Sequence, residues 1–458
     1  MLSKENTELL TRVGRGTPMG DLMREYWLPV LYTWEIEPDG APLRVRVLGE
    51  DLIAWRDSNG QPSFVAENCP HRGASLFFGR NEECGLRCVY HGWKFDAGGQ
   101  CLDMPNEPAE SDFKTKVRAS AYRGADWGGM TWIFMGPNQD DPPGLPEWEW
   151  CLVPENQVYH SHKGVYECNW AQALEGELDT THVYFLHSRL DPAAPPSYGL
   201  HVGDRRARLE IVDTAYGINY GARRIENEQE YYWRTTQFLF PIYGMFPGGG
   251  EDGTVPLSIY LPIDDTHTLH MGLWWHPGQP LPRWGNRPPP VTFNASGELV
   301  GGVGPLKPEQ KGTYFANWWP EACLANDFLM RKDVKKDKNF TGIGSVRLQD
   351  DAVITSMGPI LDRTIEHLGT ADAALIRVRR RLIEAARALR ERGVAPPAAR
   401  NPALYRVRSC QAILRADQDW KAALDDWHHC RTPEHPTGGF RPVRAYAEGG
   451  RGNRVSQS

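Results

Sequence analysis

No stretch of this 458-residue chain reaches the ~18 uncharged apolar residues of a helical membrane span. Its first twenty residues hold no apolar run of signal-peptide length, so the chain reads as non-membrane and cytoplasmic. An excess of basic charge is also missing. The formal charge is -7, which leaves no footprint for nucleic acid. Paired cysteines are absent too. The nine Cys are an odd number spread over long distances, which argues against a disulfide framework and for metal ligands and buried thiols in a reducing compartment. No Gly-x-Gly-x-x-Gly follows a strand-like run, so the chain has no nicotinamide or flavin fingerprint of its own. Nor does it contain the Cys-x4-Cys-x2-Cys run of a plant-type ferredoxin.

What is plentiful is Gly (46), Pro (36) and Trp (17), the mark of a loop-rich chain with much β-structure and room for two or three domains. Residues 1–35 read as helical and then irregular, with Leu9, Leu10 and Val13 on one face and Leu22, Met23 and Tyr26 on the next element. From 42 to 64 the pattern turns to short strands. Val45, Val47 and Leu48 are separated from Leu52–Trp55 by Gly49-Glu50-Asp51, and Ser58-Asn59-Gly60 closes the pair as a hairpin. A buried strand is expected at 128–135, and the Pro/Asp-rich loop at 137–146 places a domain boundary near 150. Short apolar pieces at 207–212, 231–238, 257–261 and 268–275 predict an antiparallel sheet, curved to form pocket walls. Residues 191–197 and 277–290 read as Pro-rich loops, and the charge run at 331–338 as a solvated loop or helix end. Leu375, Val378, Leu382, Ile383, Ala386 and Leu389 give a clear helical period that Gly393 stops. The tail from Arg431 is rich in Pro, Gly and Arg and reads as disordered or laid on a neighbouring subunit.

Two groups of residues carry chemistry. In residues 169–187, Asn169 is a good N-cap, and Glu175, Asp179, His182 and His187 follow with the spacing Glu-x3-Asp-x2-His-x4-His. On a continuing helix Glu175, Asp179 and His182 share a face, while His187 lies about 140° round from His182. Both imidazoles meet one point only if the helix ends or widens near 183–186. Two His with a later carboxylate would form a facial triad for non-haem Fe(II), with positions left open for O2. Two helix histidines close by chance are the alternative.

Upstream, Cys69-Pro-His71 and Cys88-Val-Tyr-His91 stand sixteen residues apart. Zinc sites of the Cys2His2 kind usually pair Cys with Cys and His with His. Here each loop carries one of each. That mixture lets one iron of a [2Fe–2S] cluster take both thiolates and the other both imidazoles, the Rieske arrangement. Cys84 and Cys101 are off ligand spacing and read as ordinary thiols, Cys101 packing beneath the cluster.

The runs Cys69-Pro-His-Arg-Gly-Ala-Ser-Leu76 and Cys88-Val-Tyr-His-Gly-Trp-Lys-Phe95, with Gly98-Gly99-Gln-Cys101, resemble the Rieske iron–sulfur domain. The segment from Gln349-Asp350-Asp351 through Asp362-Arg363 to Thr370 resembles the C-terminal part of phthalate-dioxygenase-type oxygenases. Together with Asp179, His182 and His187, the resemblance covers nearly the whole chain. The chain is thereby similar to the large (alpha) oxygenase component of Rieske non-haem iron aromatic-ring oxygenases, in the branch built of alpha subunits alone.

That resemblance implies an α+β chain. A β-rich Rieske domain at 36–150 precedes a catalytic domain at 151–430, where a curved antiparallel sheet and helices surround a mononuclear iron pocket. Residues 1–35 would pack on the catalytic domain, and 431–458 form a tail. It implies cluster ligands Cys69, His71, Cys88 and His91, and iron ligands His182, His187 and Asp350, with Asp351 the less favoured neighbour. Asp179 would bridge His91 of one subunit to His182 of the next as the electron path, in a homotrimer or stacked hexamer. Glu175 would stand nearby as a carboxylate behind the ligands or an inter-subunit acid, or equally serve a structural role. NAD(P)H and FMN would act only through a separate reductase of the FMN and iron–sulfur type.

Substrates in this branch are often aromatic acids, and O-demethylation of aryl methyl ethers is the alternative. Arg208 and Arg234, on pocket strands, are the candidates for a substrate carboxylate. A Rieske electron carrier without an oxygenase site, or a zinc-clasped module, are the readings from other classes.

Overall fold

The fold is described from a computed structural model, for residues 1–190, 204–247, 253–288 and 302–433. The expected loop at 191–197, part of that at 277–290, and the tail from 434 lie outside these residues.

Two short helices open the chain. Ser3 caps Lys4–Thr11, and Thr17 caps Pro18–Arg24, whose proline occupies the first turn where no N–H is missed. Both pack on the long helix Ala373–Arg392, which ends at Gly393 with a left-handed φ of 67°. The chain then enters a strand, Trp27–Tyr32, where the sequence read as irregular. All six residues are buried, so no polar–apolar alternation marks the strand, and a register shift between Pro29 and Leu31 absorbs the proline.

This strand is the edge of a six-stranded antiparallel sheet in the order Trp27–Tyr32, Met130–Phe134, Ala121–Trp127, Pro62–Ala66, Glu50–Arg56, Leu43–Val47. The predicted hairpin is two hairpins. Leu48 and Gly49, both with positive φ, turn the first, and Ser58-Asn59-Gly60 turns the second. A small four-stranded sheet, Arg80–Glu82, Gly85–Arg87, Lys94–Phe95 and Cys101–Asp103, stands beside it with its own apolar cluster.

The second large sheet has seven strands in the antiparallel order Val158–Tyr166, Thr268–Trp275, Val255–Pro262, Tyr243–Met245, Glu230–Leu239, Gly217–Ile225, Arg208–Asp213, and Cys410–Arg415 pairs with Glu230–Leu239 as the eighth. The first strand was hidden in the sequence because His160, His162 and Lys163 interrupt its apolar residues, yet all three are buried. Lys163 Nζ reaches Glu35 Oε1 at 2.5 Å and the Val30 carbonyl at 3.2 Å, and Trp318 Nε1 donates to Glu35 Oε2 at 2.6 Å. Burial depresses the Lys163 pKa, and Glu35 opposes that shift. The pair ties the segment around the first sheet to the second. The charge run at 331–338 contains a short helix, Lys332–Asp337, largely exposed as expected.

Candidate metal centres

The two Cys/His loops are near copies of one another. In the first, Cys69 N–H donates to the Ala74 carbonyl (2.8 Å) and Gly73 N–H to the Cys69 carbonyl (2.9 Å). In the second, Cys88 N–H donates to the Trp93 carbonyl (2.8 Å) and Gly92 N–H to the Cys88 carbonyl (3.0 Å). Gly73 and Gly92 sit at φ 76° and 77°, a conformation that strains any residue with a Cβ. The loops leave Cys69 and Cys88 buried and bring the rings of His71 and His91 together edge-on, with centroids 4.5 Å apart. Trp93 stacks on His71 at 4.2 Å and 9°, and its Nε1 donates to Asn106 Oδ1 at 2.7 Å.

This donor set fits a [2Fe–2S] cluster. His91 Nδ1 is a buried ring nitrogen with no hydrogen-bond partner among the described residues, which is the state of a nitrogen built to ligate. Burial, then the neighbouring Cys88, pushes the Cys69 thiol up to about 11, so a bound cation is what would make it a thiolate. Cys101 is also buried, with Sγ 3.5 Å from the Asp103 carbonyl, and Cys84 lies at a hairpin turn beside Asn59.

The second centre depends on where a helix stops. Asn169 Oδ1 caps Trp170–Leu178 through Ala171 N–H, as the sequence indicated. The helix does not continue to His182. Asp179 is its C-cap, already extended at φ -81° and ψ 119°, and a separate turn carries His182–Tyr184. The break frees both imidazoles to converge, with His182 Nε2 3.1 Å from His187 Nε2. Asp350, on the helix Val346–Ser356, brings Oδ1 to 3.1 Å from His187 Nε2 and 3.5 Å from His182 Nε2. Three ligand atoms thus face one point, and a cation there would relieve their mutual crowding.

The neighbours fix which ring nitrogens point at the shared site. Gln349 Nε2 donates to the Ile343 carbonyl at 2.9 Å, so its Oε1, 2.8 Å from His187 Nδ1, must accept. His187 therefore carries its proton on Nδ1 and offers the Nε2 lone pair. Asp179 Oδ2 lies 3.6 Å from His182 Nδ1, while Thr181 N–H and its hydroxyl hold Asp179 Oδ1 at 2.7 Å each. Burial opposes charge on His182, but Asp179 and then Asp350 outweigh it and raise its pKa. Asp351 points elsewhere. It accepts from Thr355 Oγ1 at 2.8 Å, and burial pushes its carboxyl well above the usual range.

Two expected residues fall outside this site. Glu175 does not share a face with His182, because the helix ends between them. Its carboxylate is gripped by Arg379 (2.7 and 2.8 Å) and Arg363 (3.1 and 3.2 Å), with Glu366 on the far side of Arg379. Arg208 is exposed on the sheet's edge strand and does not line the pocket.

Arg234 does line it, 3% exposed, together with Thr236, Val183, Phe246, Pro247 and Arg347. Reading the sequence did not single out Arg224 or Glu177. Arg224 lies on the same sheet face as Arg234, with Nη2 on the Thr180 carbonyl at 2.8 Å, and its Nε and Nη1 are buried without partners among the described residues. Burial, with the Arg234 charge adding to it, depresses its pKa. Glu177 lines the pocket beside Arg347. Neither had a legible signal, since a strand arginine or a helix glutamate is ordinarily exposed.

Comparison with known proteins agrees. The Rieske [2Fe-2S] domain model matches residues 26–118, and the LigXa C-terminal domain-like model matches 133–283 and 316–433. The chain is 37% identical to the 3-chlorobenzoate-3,4-dioxygenase oxygenase subunit of Comamonas testosteroni, over 93% of this chain and 98% of the relative. It is 36% identical to the phthalate 4,5-dioxygenase oxygenase subunit of Pseudomonas putida, over 95% and 99%. The terminal oxygenase of carbazole 1,9a-dioxygenase from Nocardioides aromaticivorans IC177 shares the fold with a TM-score of 0.54 at 16% identity, over 84% of this chain and 98% of that one. The chain belongs to the Rieske non-haem iron aromatic-ring oxygenases, as an oxygenase subunit of the phthalate-dioxygenase-like branch.

Proposed function

We propose that this subunit hydroxylates an aromatic acid, with Cys69, His71, Cys88 and His91 holding the cluster and His182, His187 and Asp350 the iron. The observation that carries it is the convergence of His182, His187 and Asp350 on a pocket whose wall contains a buried arginine, Arg234. Two relatives named for 3-chlorobenzoate and phthalate, both aromatic carboxylates, support the substrate class. Arg234 is buried in the pocket wall, where a guanidinium can pair bidentately with a substrate carboxylate.

When bound, the cluster supplies single electrons and the iron supplies O2 activation. The protein's own part is positional. Gln349 and Asp179 set the imidazole tautomers. Val183, Phe246, Pro247 and Val346 make the pocket wall apolar around the ring. Asp179 is the proposed electron bridge, its Oδ2 on His182 and the remaining acceptor capacity available to His91 of a second copy.

A homotrimer, single or stacked as a hexamer, is the assembly this requires. Exposed Val89, Tyr90 and Phe113 in the Rieske domain and exposed Phe185 and Phe340 near the iron site are the apolar surfaces it would cover. Sedimentation at about three times the 51.7 kDa chain mass, or six times, checks it. A separate NAD(P)H-dependent reductase of the FMN and iron–sulfur type supplies electrons in the cytoplasm. The division into 1–35, 36–150, 151–430 and a tail is proposed with it, the first boundary moved back to about residue 26 because Trp27–Tyr32 is a strand of the first sheet.

The test is substrate-stimulated NADH and O2 consumption, with a matched reductase, across benzoates, phthalates, aryl methyl ethers and neutral arenes. Stimulation by the acids, with ring-hydroxylated product, is expected. A response to neutral arenes alone overturns the aromatic-acid reading, and formaldehyde release from the ethers alone replaces hydroxylation by demethylation.

A further inference from the structure

Asp350 has two carboxylate oxygens, and they face different groups. Oδ1 faces the two imidazole nitrogens at 3.1 and 3.5 Å. Oδ2 faces Arg347 Nη1 at 3.9 Å, three residues earlier on the same helix. Arg347 is itself held. Its Nη1 donates to Glu177 Oε2 at 3.0 Å, and that oxygen also accepts from Tyr260 OH at 2.9 Å. The Glu177 side chain is only 4% exposed, and Gly244 packs so closely on it that a Cβ there would lie 2.9 Å from Glu177 Cγ. The guanidinium also lies over the Phe246 ring, 5.2 Å from its centroid. One chain of contacts, Tyr260–Glu177–Arg347–Asp350, thus joins the sheet, the helix that carries Asp350 and the helix that precedes the two histidines.

We propose that Arg347, fixed by Glu177, is a positioning residue that keeps Asp350 Oδ2 off the metal, so that Asp350 ligates through Oδ1 alone. A carboxylate bound through both oxygens occupies one more coordination position than one bound through a single oxygen. Groups behind the ligands commonly set their orientation in this way. The arrangement therefore preserves a coordination position beside the pocket, where Arg347 and Phe246 already form the wall. The negative charge of Glu177 offsets that of Arg347, so the clamp adds no net charge next to the cation.

The inference rests on His182, His187 and Asp350 being the metal site, and the experiment separates the two. The trimer with its cluster intact is freed of iron and loaded with cobalt(II), whose visible absorption weakens as its coordination number rises. The wild type should show the stronger bands, and His182→Ala should lose them. Cobalt that binds the wild type and His182→Ala alike would remove the site itself. Arg347→Leu should bind cobalt with weakened, shifted bands. Glu177→Gln keeps the shape and the Tyr260 contact but releases Arg347, so it should shift the bands in the same direction by less. Bands identical to wild type in both variants overturn the proposal. If Arg347→Leu fails to fold, the spectrum of Glu177→Gln decides alone.

Discussion

Replacing Glu175 by Gln separates a structural role from a catalytic one. Gln keeps the volume and removes the charge. In the wild type, Arg363 (0% exposed) and Arg379 (4%) share the Glu175 carboxylate (11%). Arg379 retains Glu366 in the variant, but Arg363 has no other carboxylate partner among the described residues, so a fully buried cation is stranded. Breaking such a pair costs about 3–5 kcal/mol. At roughly 2 °C per kcal/mol for a unit of this size, the catalytic domain should melt about 6–10 °C lower. Differential scanning calorimetry reads that shift.

Turnover per bound iron in the cold, folded variant should be unchanged, because Glu175 touches no ligand. The pH dependence has a definite sign. Burial resists ionisation of Glu175, but the two arginines outweigh it and hold its carboxyl below the ordinary value. Its contribution is complete above the unfolded-state value of about 4.3 and is lost as the pH falls through the lower folded-state value. The variant's melting temperature should therefore be less sensitive to acid in that window. A shift under about 2 °C joined to a large loss of turnover per iron would refute the reasoning and restore Glu175 to the site.

Asp350→Asn should lose the mononuclear iron while keeping the cluster, whereas Asp351→Asn, replacing a carboxyl that faces Thr355 and not the histidines, should keep both; iron analysis at about three against two irons per chain reads the difference. Asp179→Asn should keep both metals yet cut turnover at least about 100-fold, since the bridge loses an acceptor and its charge; single-turnover oxidation of the reduced cluster checks it, and an undiminished rate rules out the route. Arg234→Leu should raise KM for an aromatic acid by about 10- to 100-fold, the worth of a charged hydrogen-bonded pair, and leave KM for the corresponding neutral amide nearly unchanged. Lys163→Met strands Glu35 beside Trp318 and should cost about 3–5 kcal/mol, read as a lower melting temperature with the metal content of the folded protein intact.

How much of this was legible varied by the kind of signal. The cluster loops were readable because ligation needs Cys and His at fixed short spacings and glycines where φ is positive, and Gly73 and Gly92 satisfy both. The catalytic strands with clean apolar runs were readable too. Val158–Tyr166 was not, since its buried His and Lys mimic a surface, and Trp27–Tyr32 was not, since burial on every side erases alternation. For the arginines, residue type misled. Arg208 and Arg234 look alike in sequence, but one lies on an edge strand and the other on an inner strand, a difference set by pairings made far along the chain.

The iron site shows most plainly why local reading falls short. A five-residue spacing of histidines is wrong for one helix face, and on an unbroken helix the pair would diverge. The structure resolves this by ending the helix at Leu178, and the means are spread over the fold. Glu175, one turn before the end, is locked by Arg363 and Arg379, which fixes the helix against Ala373–Arg392 and the chain after Pro359. Tyr220 OH takes the Leu178 carbonyl and Arg224 the Thr180 carbonyl, and those acceptors lie where a continuing helix would have used them internally. Asp179 then turns out of the helix and His182 starts a new turn. The sheet donors at the helix end thus decide where two histidines point, while the charges behind the helix hold it in place without touching a ligand.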